Sequence, residues 1–339
     1  MGGDKAPDAV VRGAAMARER HPEARFLFFG PEDRLAPLIK RQKRRKLPGS
    51  SEIIDTADVV AADAKPAIAL RQGRASTMRR AIDAVADGRA DCAVSAGNTG
   101  ALLAMAKFVL KTAAGVDRPA IASLFPTMRG ECALLDLGAN IQVDARNLEE
   151  FAIMGAVFAR LLVGLERPTV GLLNVGSEDQ KGHEELREAH ATLSAAELPF
   201  DYWGFVEGDD IAGGAVDVIV TDGFTGNVAL KTAEGTSRLV SEYIRQAFRH
   251  SLPAKLGYLL ARRAMGKLRA RLDPRRYNGA MFLGLNGVVV KSHGGADAVG
   301  WAHAFGVAAD LASRGLAAKI KAELEVLHAE RDSPPPVAA

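Results

Sequence analysis

The chain has 339 residues, 48% hydrophobic and 25% charged, an ordinary composition that excludes global disorder and collagen-like or coiled-coil classes. No apolar run approaches the roughly 18 residues of a membrane span, no signal-peptide core follows Met1, and Cys92 and Cys132 are too few for a disulfide framework, which together point to the reducing cytoplasm. The formal net charge is +3, yet Lys40 to Lys46 holds six basic residues and no acid, and residues 251–277 hold eight against Asp273 alone. The remainder is therefore acidic, which argues against a general nucleic-acid-binding surface and for two local anionic contacts.

In chain order, hydrophobic periodicity predicts helix 8–20, strand 25–29, helix 75–88, strand 91–95, helix 99–112, and strands 119–124 and 131–137. Helix 147–164, strand 169–175, helix 180–196 and strands 201–206 and 216–221 follow. Helices 227–249 and 253–272, strand 287–291 and helix 297–328 complete the series. Several strands are near-continuous apolar runs, as expected when both faces are covered. The alternation predicts an α/β fold, a three-layer αβα sandwich around a largely parallel mixed sheet. Residues 1–331 read as one catalytic unit, with two subdomains as the alternative division, and 332–339 (DSPPPVAA) as a disordered tail. The opening MGGDKAP is a turn that normally follows a strand, so either that strand is absent or Met1 is an internal methionine.

In open α/β sheets ligands sit beyond the carboxyl ends of strands. Five predicted strands end in small, polar, glycine-bearing turns: Ser95–Gly100, Asp136–Asn140, Asn174–Glu178, Asp222–Asn227 and His293–Gly295, with Gly2-Gly3-Asp4 as a short sixth. Glycine permits close backbone approach, and a helix start offers free N–H groups and partial positive charge, so each turn is a possible anion cradle. These bends are expected to converge in space on one oxyanion. No Walker P-loop, dinucleotide fingerprint, GxSxG elbow or metal-binding spacing is present.

The segments MGGDKAP (1–7), KPAIALR (65–71), VSAGNTGALL (94–103), LDLGAN (135–140), GLLNVGSEDQKG (171–182), DVIVTDGFTGNVALKTAEG (217–235) and GAMFLGLNGVVVKSHG (279–294) closely resemble the bacterial phosphate acyltransferase family of phospholipid synthesis. The resemblance implies a fold like phosphotransacetylase and like isocitrate and isopropylmalate dehydrogenases, and a homodimer with its cleft near the interface. It also implies acyl transfer from acyl-acyl carrier protein to inorganic phosphate, without metal or cofactor. The chain departs from the family pattern in lacking a strand before MGGD, in Gln142 where an acidic residue is common, and in Ser76-Thr77-Met78 for a Ser-Ser-Met run.

Phosphate attack on a thioester needs a held dianion and donors for the tetrahedral oxyanion. Asn98, Asn227, Lys231 and His293 are the expected catalytic residues. Asp4, Ser95, Gly97, Thr99, Gly100, Asn140, Asn174, Glu178, Lys181, Asp222, Gly223, Thr225 and Gly226 are the expected substrate- and phosphate-binding set. Structural alternatives stand beside these: Lys231 as a solvated helix lysine, Lys181 paired with Glu178, His293 as a satisfied structural histidine, and Asp136 and Asp222 as caps. His183 and His190 read as surface residues. Neither cysteine is flanked by a group that would activate it.

The basic segment 250–277 carries Leu252, Leu256, Leu259, Leu260, Leu268 and Leu272 at helical spacing among Arg262, Arg263 and Lys267, the pattern of a helix lying on an anionic membrane surface. The alternative is a helix packed on the body or on a dimer partner. The run 40–46 reads first as a solvated helix end, with an acidic acyl carrier protein as its other possible contact. An acyl-CoA phosphotransacetylase is the rival activity. A nicotinamide dehydrogenase would need carboxylate and arginine clusters that do not occur here.

Overall fold

The computed structural model describes residues 1–271 and 273–331. Leu272 and the 332–339 tail lie outside the described residues, as does the side chain of Lys267. The first lobe contains α1 (Asp8–Arg20), β1 (Phe26–Phe29), α2 (Glu32–Arg41), a 3-10 turn over Lys43–Arg45 and β2 (Ser51–Ile54). β1 and β2 pair in parallel as a two-stranded sheet of their own. The sequence pattern misses α2, which has Pro37 inside it, and β2, which is only four residues long. Val11, Phe28, Leu35, Ile39 and Leu47 give this lobe a small apolar cluster.

The larger part begins with α3 (Pro66–Gln72), α4 (Thr77–Ala86), β3 (Cys92–Ser95), α5 (Thr99–Leu110), β4 (Ala120–Pro126), β5 (Glu131–Leu135) and α6 (Ala145–Leu162). It continues through β6 (Thr169–Leu173), α7 (Glu184–Ala195), β7 (Asp201–Val206), α8 (Asp210–Gly213), β8 (Val218–Val220), α9 (Gly223–Arg249) and α10 (Leu252–Arg271). It closes with β9 (Ala280–Leu283), β10 (Val288–Lys291), α11 (Ala298–Ser313) and α12 (Leu316–Arg331). Eight strands form one sheet in the order β3-β10-β9-β4-β5-β8-β6-β7. β3 and β10 run parallel, as do β5, β8, β6 and β7 among themselves. β9 is antiparallel to β10 and β4, and β4 to β5. The carboxyl ends of β3 and β10 therefore point opposite to those of β5, β8 and β6.

Both sheet faces are covered, which makes the expected three layers. Phe151 and Phe158 of α6 pack on one face with Leu193 of α7, Leu311 of α11 and Leu324 of α12. Ile82 of α4 and Leu102 and Met105 of α5 cover the other, joined by Ala229 and Leu230 of α9. Side-chain caps set the helix starts: Asp144 accepts the Asn147 N–H at 2.8 Å before α6, and Asp297 accepts those of Val299 and Gly300 at 3.1 Å before α11. The helix predicted over 297–328 is two helices, because Gly315 at φ +70° breaks it. His190, expected at the surface, is half-buried: its Nδ1 lies 2.8 Å from the Tyr202 hydroxyl and its ring stacks on Phe205 at 4.5 Å.

α9 and α10 form an antiparallel hairpin that departs from the body, with Phe248 and Tyr258 in edge contact at 5.3 Å. Leu252, Leu256, Leu259 and Leu260 are all exposed, Leu260 to 88%. Arg262 and Arg263 are exposed beside them. α1 and α11 approach closely at Gly13, where a Cβ would stand 2.4 Å from the Trp301 Cβ and 3.0 Å from the Ala298 carbonyl oxygen. Gly13→Ala is expected to lower the free energy of unfolding by about 1–3 kcal/mol, measured by urea denaturation.

Candidate functional site

The glycine-bearing turns gather into two groups rather than one ring, because the sheet changes direction across β9 and β4. The first group follows β3 and β10, where Lys291 lies opposite Ser95. The Ser292 N–H donates to the Ser95 carbonyl at 2.8 Å, and the Gly97 N–H to the buried Ser95 Oγ at 3.2 Å. The Gly2-Gly3-Asp4 turn lies across both, its Asp4 N–H donating to the Gly294 carbonyl at 2.8 Å. Gly2 and Gly3 take φ +103° and +89°, and a Cβ on Gly3 would come within 3.0 Å of both Ala96 Cβ and the Gly294 oxygen. Only glycine serves both needs.

His293 is held on two sides. Its N–H donates to Asn278 Oδ1 at 2.7 Å, and its Nδ1 accepts the Gly295 N–H at 3.1 Å. With Nδ1 an acceptor, the neutral ring carries its proton on Nε2, ready to donate. Beside it Lys291 Nζ donates to the Ser292 carbonyl. Burial lowers the Lys291 pKa from 10.5 to about 8, the nearby Lys231 charge adds to this, and Asp4 opposes it. Sequence reasoning missed Lys291. The available signal was a lysine ending an otherwise apolar strand, VVVK, immediately before His293.

The second group follows β5, β8 and β6, three adjacent parallel strands. Asp136 is fully buried, and its carboxylate accepts five N–H groups at 2.8–3.2 Å: those of Ile121, Gly138, Ala139 and Asn140 on the backbone and the Asn140 side chain. Burial pushes its pKa up against the pull of these donors. Asn140 Nδ2 also donates to the Pro119 carbonyl at 2.9 Å. α9 starts on this turn. A Cβ on Gly226 would lie 1.9 Å from the Asp136 carbonyl oxygen, and one on Gly223 would lie 2.7 Å from that of Asn140. These glycines make room for a helix against a turn. The stretch read as a loop, 222–227, is the helix start itself, with Asp222 as its cap accepting the Thr225 N–H at 2.8 Å and hydroxyl at 2.6 Å.

Other expected residues sit as follows. Asn98 caps α5, accepting the Ala101 N–H at 2.9 Å, while its Nδ2 donates to the Ala62 and Ala64 carbonyls at 2.8 and 3.0 Å. Both its donors are thus engaged by protein, so it positions the turn and does not offer the oxyanion donor expected of it. Thr99 is exposed in the first turn of α5, and Gly100 packs against Pro66. Asn174 is buried and holds the 174–182 loop, donating to the Lys181 carbonyl at 3.1 Å. Glu178 and Lys181 are exposed and both border Gly176. Asn227 packs its Cβ near Gly138 and is exposed. Lys231 pairs with Glu234 at 3.0 Å on its own helix, yet its charge still bears on Lys291. Among the described residues no hydrogen bond connects 95–100 to 221–227, and the Lys231 charge felt at Lys291 is the one influence seen between the two groups. Cys92 and Cys132 are pushed up to about 12, chiefly by burial, and are inert as nucleophiles at neutral pH.

A family model described as "Fatty acid synthesis protein" matches residues 1–319. The chain is 63% identical over 329 residues to the phosphate acyltransferase of Rhodospirillum centenum, covering 97% of this chain and 92% of that protein. It is 55% identical over 339 residues to that of Paramagnetospirillum magneticum, covering 100% and 96%. Among solved structures, a phosphotransacetylase from Streptococcus pyogenes matches with a TM-score of 0.54 at 18% identity, over 89% of this chain and 98% of that one. One from Staphylococcus aureus gives 0.51 at 15%, over 90% and 99%. These likenesses carry the fold alone.

Asp136→Asn keeps the size and replaces an acceptor oxygen by a donor facing N–H groups. It is expected to reduce stability by about 2–4 kcal/mol, read as a lower urea midpoint with an unchanged m-value.

Proposed function

The chain belongs to the phosphate acyltransferase family, and we propose that it transfers a long-chain acyl group from acyl-acyl carrier protein to inorganic phosphate, giving acyl-phosphate for phospholipid synthesis. The observation that carries this reading is the Lys291 ammonium among three glycine turns, with His293 beside it and the Lys231 charge acting on it. A phosphate dianion held by these cations is positioned as the nucleophile. Its oxygen bonds to the thioester carbon, the carbon–sulfur bond breaks, and the carrier leaves as thiolate. The His293 Nε2–H is a donor for the carbonyl oxygen as it becomes an oxyanion. Holding the two reactants together supplies up to roughly 7–11 kcal/mol of the barrier at ideal geometry. The inert cysteines support direct attack without an acyl-enzyme.

The α9–α10 hairpin supports peripheral docking on the inner face of the cell membrane. Among the described residues no helix is long and apolar enough to cross a membrane. The exposed leucines of α10 stand with exposed arginines, so apolar insertion and attraction to anionic lipid act together. Exposed Leu239, Val240 and Tyr243 on α9 support a homodimer that pairs through this hairpin.

Three measurements test this reading. Purified protein with phosphate and acyl-acyl carrier protein is expected to yield a hydroxylamine-trappable acyl-phosphate; absence of hydroxamate with folded protein would falsify the assignment. Lys291→Met is expected to lower turnover at least about 100-fold while raising the melting temperature at pH 7. The sign follows from linkage. The unfolded chain keeps this proton up to 10.5 and the folded chain only to about 8. Burying the ammonium therefore opposes folding below about 8, stability rises with pH between the two values, and removing the amine relieves a penalty on the order of 1 kcal/mol or more. A merely structural lysine would show no such opposition of activity and stability. Finally, Leu259→Ser/Leu260→Ser is expected to abolish cosedimentation with anionic vesicles while leaving hydroxamate formation in solution unchanged.

A further inference from the structure

We propose that the basic surface where the end of α1 meets residues 40–46 is the docking site for the acidic face of the acyl carrier protein; the proposal rests on the acyl-transfer reading above. Lys40 and Arg41 end α2, Lys43–Arg45 form the following 3-10 turn, and Lys46 closes it, all six side chains being exposed. Arg18 and Arg20 of α1 join them. The Arg18 guanidinium donates to the Arg45 carbonyl at 3.2 Å, and Arg45 pairs with Glu19 at 2.7 Å. Lys40 and Arg41 have a structural reason to be there, since cations favour a helix carboxyl end. Lys43, Arg44 and Lys46 have none. Among the described residues, Arg45 alone of the six has a carboxylate partner. Like charges spaced three apart repel in the free protein by a few tenths of a kcal/mol per pair, and an acidic partner turns that repulsion into attraction.

Lys46 adds a second observation. It occupies the left-handed region at φ +54°, where glycine or asparagine is preferred, and so keeps a cation where folding alone favours another residue.

Distance fits the proposed partner. α1 is 13 residues long, so it spans about 20 Å from the Gly2–Asp4 turn to Arg18 and Arg20. The carrier's pantetheine arm, comparable to five or six extended residues, reaches about 18–20 Å. A carrier docked at one end of α1 therefore delivers its thioester to the other. A membrane is the poorer partner for this surface. None of the large exposed apolar side chains among the described residues falls between 18 and 50, in contrast to α10.

The test uses the full chain with carrier protein lacking its arm, so binding is read without turnover. Titration at low and high salt is expected to show salt-weakened association, reduced at least about tenfold by Lys43→Glu/Arg44→Glu/Lys46→Glu. The same variant is expected to raise KM for acyl-acyl carrier protein about tenfold, with kcat, and turnover of a soluble acyl-pantetheine thioester, unchanged. Lys46→Gly is expected to hold or raise the melting temperature and still weaken carrier binding, which separates docking from folding. Equal carrier binding by wild type and the triple variant, or no binding by wild type, overturns the proposal, as does a variant that loses vesicle binding instead. Failure of wild type to form acyl-phosphate from any thioester refutes the acyl-transfer reading while leaving the binding result to be judged by itself.

Discussion

The carboxylate of Asp136 is buried, and its five hydrogen-bond donors are all N–H groups of neutral amides. Without that acceptor, the donors of the 136–140 turn would be stranded between β4 and β5. The turn in turn is the floor on which α9 begins, through Gly223 and Gly226. α9 carries Lys231 toward Lys291 and continues into the hairpin with α10. The start of α9, and with it Lys231 and the exposed apolar arm, thus rests on one buried carboxyl side chain whose role is architectural.

The second constraint is the reversal of the sheet. β9 and β4 are antiparallel insertions that separate two parallel families of strands. A wholly parallel sheet would line up every strand-end turn on one rim. Here the β3 and β10 ends face one way and the β5, β8 and β6 ends the other, and α9 starts from the second rim. The first group offers cationic and imidazole chemistry, the second rigid turns and a capped helix start.

Much of this was legible in the residues. Long periodic segments such as α6 and α1 and the apolar strands β6, β8 and β10 announce themselves, since burial on one or both faces fixes their periodicity. β9, with four residues, and α2, with its internal proline, do not. The turn residues were found, because glycine, asparagine and aspartate mark turns for physical reasons. Their roles were not. Asn98 and Asn140 look like ligand donors until their partners, the Ala62 and Ala64 carbonyls and the Pro119 carbonyl, are located many residues away. Gly226 looks like a cradle until the Asp136 carbonyl is found where its Cβ would be. Lys291 was hidden for the converse reason: its environment is made by the N-terminal turn, by β3 and by α9, which no local window contains.

α9 is one unbroken helix of 27 residues, about 40 Å of stiff rod. Its base is clamped with no slack, as the 1.9 Å that a Cβ at Gly226 would leave makes plain. Its far end is largely exposed and packs on α10 through Phe248 and Tyr258. Such a member behaves as a cantilever: a load applied at the leucine-bearing tip is borne as torque at the root, beside the Asp136 turn, and little of it is dissipated along the way.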